Sequence, residues 1–322
     1  MFCCRLLIVG LMLCSLGGSA AAELLFFDQP VVFQNPEFQA VSDSGFGLTT
    51  VGTLGNPALP GGFAVDESAG KVFILTDLVG VQSMNLDGTG LTTLSTTQTG
   101  PFNTFGRNGL AIDPVSQKVF WTAGNTAIRS IDYDGSNETE IVAASGFSTI
   151  SAIAVNPIDS HVFFARGNAE ILRVDSDGSN QTTIVPLLFG GVNNVWDLEV
   201  DLLNDHIYWS ENRSSGEIVR ADLDGSNITQ VLATSRPLGI ALNPTDQELY
   251  WTSGTSGNTR IFTTDFLGGS TTEIFGPFSA NGNFGIEHTN LTLAVPEPSS
   301  LAFLMVAGFT LGLSRKRRHT RV

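Results

Sequence analysis

A unit of 42 to 47 residues is written five times along the middle of this chain, and no other feature narrows its folds as much. Each copy centres on an apolar triplet that ends in bulky side chains. These are Lys71-Val72-Phe73-Ile74, Lys118-Val119-Phe120-Trp121, His161-Val162-Phe163-Phe164, His206-Ile207-Tyr208-Trp209 and Glu248-Leu249-Tyr250-Trp251. The closing residues Ile74, Trp121, Phe164, Trp209 and Trp251 are 47, 43, 45 and 42 positions apart. A period in the forties means that one small unit is stacked against its own copies.

The punctuation around each triplet repeats as well. A strand precedes it: Phe63 to Asp66, Leu110 to Asp113, Ile153 to Asn156, Leu198 to Asp201 and Ile240 to Asn243. Proline follows in Asp113-Pro114, Asn156-Pro157 and Asn243-Pro244, where it ends the strand and starts a turn. Beyond the triplet a third strand runs into Asn85-Leu86-Asp87-Gly88, Asp132-Tyr133-Asp134-Gly135, Asp175-Ser176-Asp177-Gly178 or Asp222-Leu223-Asp224-Gly225. Asp-Gly between apolar runs is a strong hairpin signal. A Thr-rich fourth strand follows, such as Thr92-Thr93-Leu94. Four strands per period describe one blade of an all-β propeller.

These units resemble the YWTD repeat of the low-density-lipoprotein-receptor class B family over roughly residues 46 to 290. Tyr208-Trp209-Ser210-Glu211 and Tyr250-Trp251-Thr252-Ser253 are nearest to the signature, and Phe120-Trp121-Thr122-Ala123 and Phe163-Phe164-Ala165-Arg166 are looser. The final aspartate of the signature is absent from every unit. The resemblance implies six four-stranded blades. Five are visible, so the ends are expected to supply a closing blade. Ser44 to Val51 matches Asp87 to Leu94 position by position as a third-to-fourth strand hairpin, and Phe284-Gly285-Ile286-Glu287 and Leu291-Thr292-Leu293 are read as first and second strands. Closure of this kind leaves no long open edge.

The two extremities read as addresses. Residues 1–22 form a signal peptide: Arg5, an apolar stretch from Leu6 to Leu16, then Ser19-Ala20-Ala21-Ala22 for a signal peptidase. Residues 23–293 are the propeller. Residues 295–322 carry Pro296-Glu297-Pro298, an apolar stretch from Leu301 to Leu313, and Arg315-Lys316-Arg317-Arg318. This order resembles the PEP-CTERM sorting signal of Gram-negative bacteria. It implies a transmembrane helix that holds the chain in the inner membrane, its basic end on the cytoplasmic side, until an exosortase acts near Pro296-Glu297-Pro298. A plain membrane anchor is the other reading. Both put the propeller outside the inner membrane, at the cell surface or beyond it.

The formal charge of −15 understates the acidity of the middle. Between Glu23 and Ala294 there are 10 basic and 30 acidic residues. Such a domain repels nucleic acid and anionic lipid at long range. Cys3, Cys4 and Cys14 all lie in the leader, so the propeller has no disulfide, thiolate metal site or cysteine nucleophile.

The remaining sequence offers little for catalysis. The Asp-x-Asp-Gly hairpins lack the ligands that a calcium loop needs at its fifth and twelfth positions, where Ser136, Ser179 or Ser226 and Ala143, Pro186 or Ala233 stand. Turn chemistry accounts for them. His161 and His206 occupy one repeat position. No Gly-x-Ser-x-Gly elbow, Walker loop or dinucleotide fingerprint is present. The candidate site is a channel mouth built by the segments just before several first strands: Asn108, Asn194, Asp197, Asn283 and Glu287. Convergent oxygens there would suit Ca²⁺, as in six-bladed lactone hydrolases. Backbone-bonded loop residues are the alternative. The function expected is a non-catalytic module that binds an extracellular protein or polysaccharide. The alternative is a calcium-dependent hydrolase or lactonase.

Overall fold

The computed structural model describes residues 24–29, 37–42, 49–53, 60–76, 79–97, 109–124, 126–144, 149–167, 170–186, 194–255, 258–278 and 286–289. They belong to one compact unit, Ala22–Leu291. Every element among the described residues is a strand, because Val, Ile, Thr and aromatic residues alternate between tight turns.

The chain opens with β1 (Leu24–Gln29), β2 (Glu37–Ser42) and β3 (Thr49–Thr53). Five blades of four consecutive antiparallel strands follow. Blade one comprises β4 (Pro60–Asp66), β5 (Lys71–Thr76), β6 (Gly80–Asn85) and β7 (Thr92–Ser95). Blade two comprises β8 (Leu110–Asp113), β9 (Lys118–Ala123), β10 (Ala127–Asp132) and β11 (Thr139–Val142). Blade three comprises β12 (Ile150–Asn156), β13 (His161–Arg166), β14 (Glu170–Asp175) and β15 (Thr182–Val185). Blade four comprises β16 (Val195–Asp201), β17 (His206–Glu211), β18 (Gly216–Asp222) and β19 (Thr229–Thr234). Blade five comprises β20 (Pro237–Asn243), β21 (Glu248–Thr255), β22 (Asn258–Asp265) and β23 (Thr272–Phe278). The last strand, β24 (Ile286–Thr289), pairs antiparallel with β1, giving a composite sheet in the order β24-β1-β2-β3. The first strands neighbour one another in sequence from β4 through β8, β12, β16 and β20 to β24, and β24 returns to β4.

This corrects the expectation of a six-bladed propeller, its closing blade shared by both termini, followed by a transmembrane helix. The described blades of four consecutive strands are five. The remaining sheet is assembled from both ends, as expected, but with three strands from the front and one from the back instead of two from each. Leu24-Leu25-Phe26-Phe27 directly follows an apolar leader and carries none of the repeat's punctuation, so its sequence does not mark it as a ring strand. No helix among the described residues is long and apolar enough to cross a membrane. The expected second strand at Leu291-Thr292-Leu293, the leader and the sorting segment lie outside the described residues.

The aromatic doublets explain where the core sits. Successive side chains of a strand point to opposite faces, so each doublet serves two gaps between blades. Phe120 packs with Phe164 of blade three, whereas Trp121 packs with Phe73 and Leu75 of blade one. Phe163 meets Trp209, and Tyr208 meets Trp251. Tyr250 meets Ile286 of the composite sheet. All of these are at most 1% exposed, and each large side chain so buried contributes roughly 1.5–3 kcal/mol.

The turns are as regular as the strands. Asp66, Asp113, Asn156, Asp201 and Asn243 end the first strands, and all are buried. Each side chain accepts hydrogen bonds from the backbone of the turn that follows, as Asp113 Oδ1 does from Val115 N (2.9 Å) and Ser116 N (3.0 Å). Asp201 Oδ1 does the same for Leu203 N and Asn204 N. The residue before each second strand takes positive φ, and its carbonyl accepts the N–H that follows the third strand, as Gln117 O does from Tyr133 N (2.9 Å). That bond ties the first turn of each blade to its last hairpin.

Candidate functional site

The first strands of blades one to four surround a cavity of about 120 Å³. Its walls are Ala64, Val65, Leu110, Ala111, Ile112, Ile153, Ala154, Val155, Leu198 and Val200, with Glu199 the one ionisable side chain among them. The first strands read as nearly continuous aliphatic runs because they are flanked on both sides by neighbouring blades. The surface this cavity exposes is nevertheless mostly polar.

Of the residues expected at a polar mouth, the side chains of Asn194 and Asp197 alone are among those described. Asn108 and Asn283 lie outside the described residues, and of Glu287 only its backbone place in β24 is described, opposite Phe26 of β1. Asn194 and Asp197 both stand at the start of blade four. The Asn194 carbonyl accepts from Asn212 N (2.9 Å). Asp197 is fully buried, and its role is to join blades. Its Oδ2 accepts from Ile240 N in blade five (2.9 Å) and its Oδ1 from Leu198 N (3.0 Å). Among the described residues no three His, Cys, Asp or Glu side chains gather as a metal would require.

The hairpin carboxylates are committed to their own turns. Asp132 Oδ2 accepts from Asn137 Nδ2 (2.6 Å), and its Oδ1 accepts from Lys118 Nζ (2.5 Å). The Lys118 bond, then the Asn137 bond, hold the Asp132 carboxyl below the usual carboxylate range. Asp175 and Asp222 repeat the arrangement with Asn180 and Asn227, and His161 Nε2 and His206 Nε2 lie 3.4 and 3.5 Å from their Oδ1 atoms. These two histidines stand where Lys71 and Lys118 stand in earlier blades, facing the third strand.

Polar contacts also stitch blade to blade. Tyr133 of blade two donates to Asp66 Oδ2 of blade one (3.0 Å), with its ring 4.2 Å from that of Phe73. Burial, then the Asp66 charge, push the Tyr133 hydroxyl far above its usual range. Glu138 of blade two accepts from Ser95 Oγ (2.9 Å) and Thr97 Oγ1 (2.7 Å) of the segment ending blade one.

Loss of the signature aspartate has a visible consequence. Glu211 fills that position in blade four, 2% exposed, and its Oε1 accepts from Trp209 Nε1 (3.2 Å) while Arg213 binds its other oxygen. Burial pushes the Glu211 carboxyl up, against the pull of the Trp209 bond and the Arg213 charge. Ala123 and Ser253 fill the position in blades two and five, and there the buried Nε1 atoms of Trp121 and Trp251 have no hydrogen-bond partner among the described residues. The fold absorbs that cost through packing of the indole rings.

No family model and no curated protein matches this chain. Solved structures do. A chain from a crystal structure of a nidogen/laminin complex is similar with a TM-score of 0.65 and 16% identity, over 85% of this chain and 99% of its own length. TolB from Acinetobacter baumannii is similar with a TM-score of 0.62 and 14% identity, over 83% of this chain and 66% of its own. A protein of unknown function from Bacteroides thetaiotaomicron gives 0.55 and 15%, over 82% and 84%. At these identities the likeness is one of fold, an all-β propeller.

Proposed function

We propose that this chain is an exported, non-catalytic binding module whose propeller is displayed at the cell surface. The commitment of Asp197 to the joint between blades four and five carries the reading. Enzymes of propeller fold need oxygen ligands or acid–base groups converging on one point. Here Asp197, an acid of the expected mouth, is bound by backbone N–H groups of two neighbouring blades. A protein ligand fits the fold: one of its solved relatives was crystallised as a complex of nidogen with laminin. The signal peptidase acts near Ala22, and the exosortase near Pro296-Glu297-Pro298 releases the chain from its C-terminal transmembrane segment.

The test is a turnover assay on the full chain with lactone and ester substrates, with and without added Ca²⁺. The expected result is no rate above that of Glu199→Gln. Calcium-dependent turnover abolished by Glu199→Gln would establish the hydrolase instead.

A further inference from the structure

All the large hydrophobic side chains that stand exposed among the described residues lie on one face of the ring. Strands alternate in direction within a blade, so the turn after the first strand and the hairpin after the third leave from the same end. Every exposed Leu, Ile or Val sits in one of these two connections. Three of them form an arc. Val115, Ile158 and Leu203 are 76%, 71% and 66% exposed, and each is the second residue after the buried Asp or Asn that ends the first strand. They belong to consecutive blades, whose first strands β8, β12 and β16 pack side by side.

The turn itself does not require an aliphatic residue there. Its geometry is set by the capping Asp or Asn and by the residue of positive φ. The same position holds Ser68 in blade one and Thr245 in blade five, and those turns have the same form. Three exposed aliphatics at one position of consecutive blades therefore add nothing to the fold, and apolar side chains repeated on one face suit an interaction site.

The surroundings select the occupant. The ten turns and hairpins of this face contain no lysine or arginine, and the arc is flanked by the exposed carboxylates of Asp159, Asp205 and Asp246. The two lysines that begin second strands, Lys71 and Lys118, are held by Asn85 and Asp132. A second copy of this chain would bring like charge against like, and so would an anionic membrane or an acidic polysaccharide. Neutral sugar rings stack on aromatic faces, and the arc has none. We infer that this arc is the docking site for a basic polypeptide segment that carries aliphatic side chains among its lysines or arginines. The inference rests on the reading of the chain as a binding module.

The experiment measures fluorescence anisotropy of labelled peptides titrated with the full chain. The probes are a short peptide of alternating Lys and Leu, a Lys/Ser peptide of equal charge, and a Glu/Leu peptide. The Lys/Leu peptide is expected to bind at least about tenfold more tightly than either of the others, with affinity falling as salt is raised. Val115→Ser, Ile158→Ser and Leu203→Ser together should lower that affinity at least about tenfold without moving the thermal melt, because Ser68 and Thr245 already occupy the position. Equal binding of the Lys/Leu and Lys/Ser peptides to the unaltered chain, a comparison that needs no variant, would overturn the inference. So would equal binding of the Lys/Leu peptide to the triple variant, or uptake of phosphatidylglycerol vesicles that the triple variant loses. None of these results touches the binding-module reading, which falls only if the turnover assay finds a reaction.

Discussion

Gly268→Ala should destabilise the propeller by about 3 kcal/mol or more, whereas Gly167→Ala should cost only about 1 to 2 kcal/mol. Both glycines hold positive φ, +72° and +64°, so both substitutions carry the same left-handed backbone strain. They differ in their surroundings. A Cβ on Gly268 would lie 1.7 Å from the carbonyl oxygen of Val231, in the fourth strand of the preceding blade, and one on Gly167 would meet nothing within 4 Å. Gly225 repeats the close approach, with Ile184 O at 1.9 Å. The hairpin between the third and fourth strands therefore does two jobs. Its glycine makes the turn and also lets the hairpin rest on the backbone of the blade before it. A carbonyl in a strand cannot move aside as a side chain can, so the whole blade must shift. The difference between the two variants should appear as roughly 4 °C or more between their thermal midpoints, followed by far-ultraviolet circular dichroism. Equal midpoints would mean that these hairpins do not dock as described.

Asp197→Ala should cost about 2–4 kcal/mol, and Asp197→Asn distinctly less. The carboxylate is fully buried and accepts one N–H from its own strand and one from the first strand of the next blade. Alanine leaves Ile240 N–H, on a residue that is itself fully buried, without its acceptor. An unsatisfied buried donor costs the full desolvation of that group, more than the net value of the bond. Asparagine keeps one oxygen and, with it, one of the two bonds. Urea unfolding of the three proteins measures the series. A variant that unfolds at the midpoint of the unaltered chain but has lost calcium affinity would return Asp197 to the channel site.

Much of this was readable before any coordinates, and the reasons are local. Tyr208-Trp209 and its counterparts stood out because an aromatic doublet inside a strand must bury both faces, which is what the gaps between blades require. The Asp-Gly hairpins were readable because few other pairs make that turn. The composite sheet was less so. Leu24–Gln29 and Glu37–Ser42 belong to the ring through pairing with distant β24, and pairing at such a separation leaves no periodic mark. The place of one candidate channel residue was hidden for a related reason. Asp197 has the composition of a ligand, and only the approach of Ile240 from the next blade shows it to be a bridge. Val115, Ile158 and Leu203 were visible at one position of the repeat, but an aliphatic residue in a turn reads as exposed only once the strands on either side are placed.

The account depends on the two ends of the domain meeting as neighbouring strands. Cysteine pairs test this directly: Leu25→Cys with His288→Cys, and Phe26→Cys with Glu287→Cys, each in a chain whose leader cysteines are replaced by serine. Each pair is directly opposed in the antiparallel ladder of β1 and β24, and adjacent pairs alternate between the two kinds of ladder site. Under oxidising conditions at least one pair should close within a single chain, seen as a faster band on a non-reducing gel and one disulfide-linked peptide by mass. Failure of both pairs to close, or bridges formed only between chains, would contradict the ring.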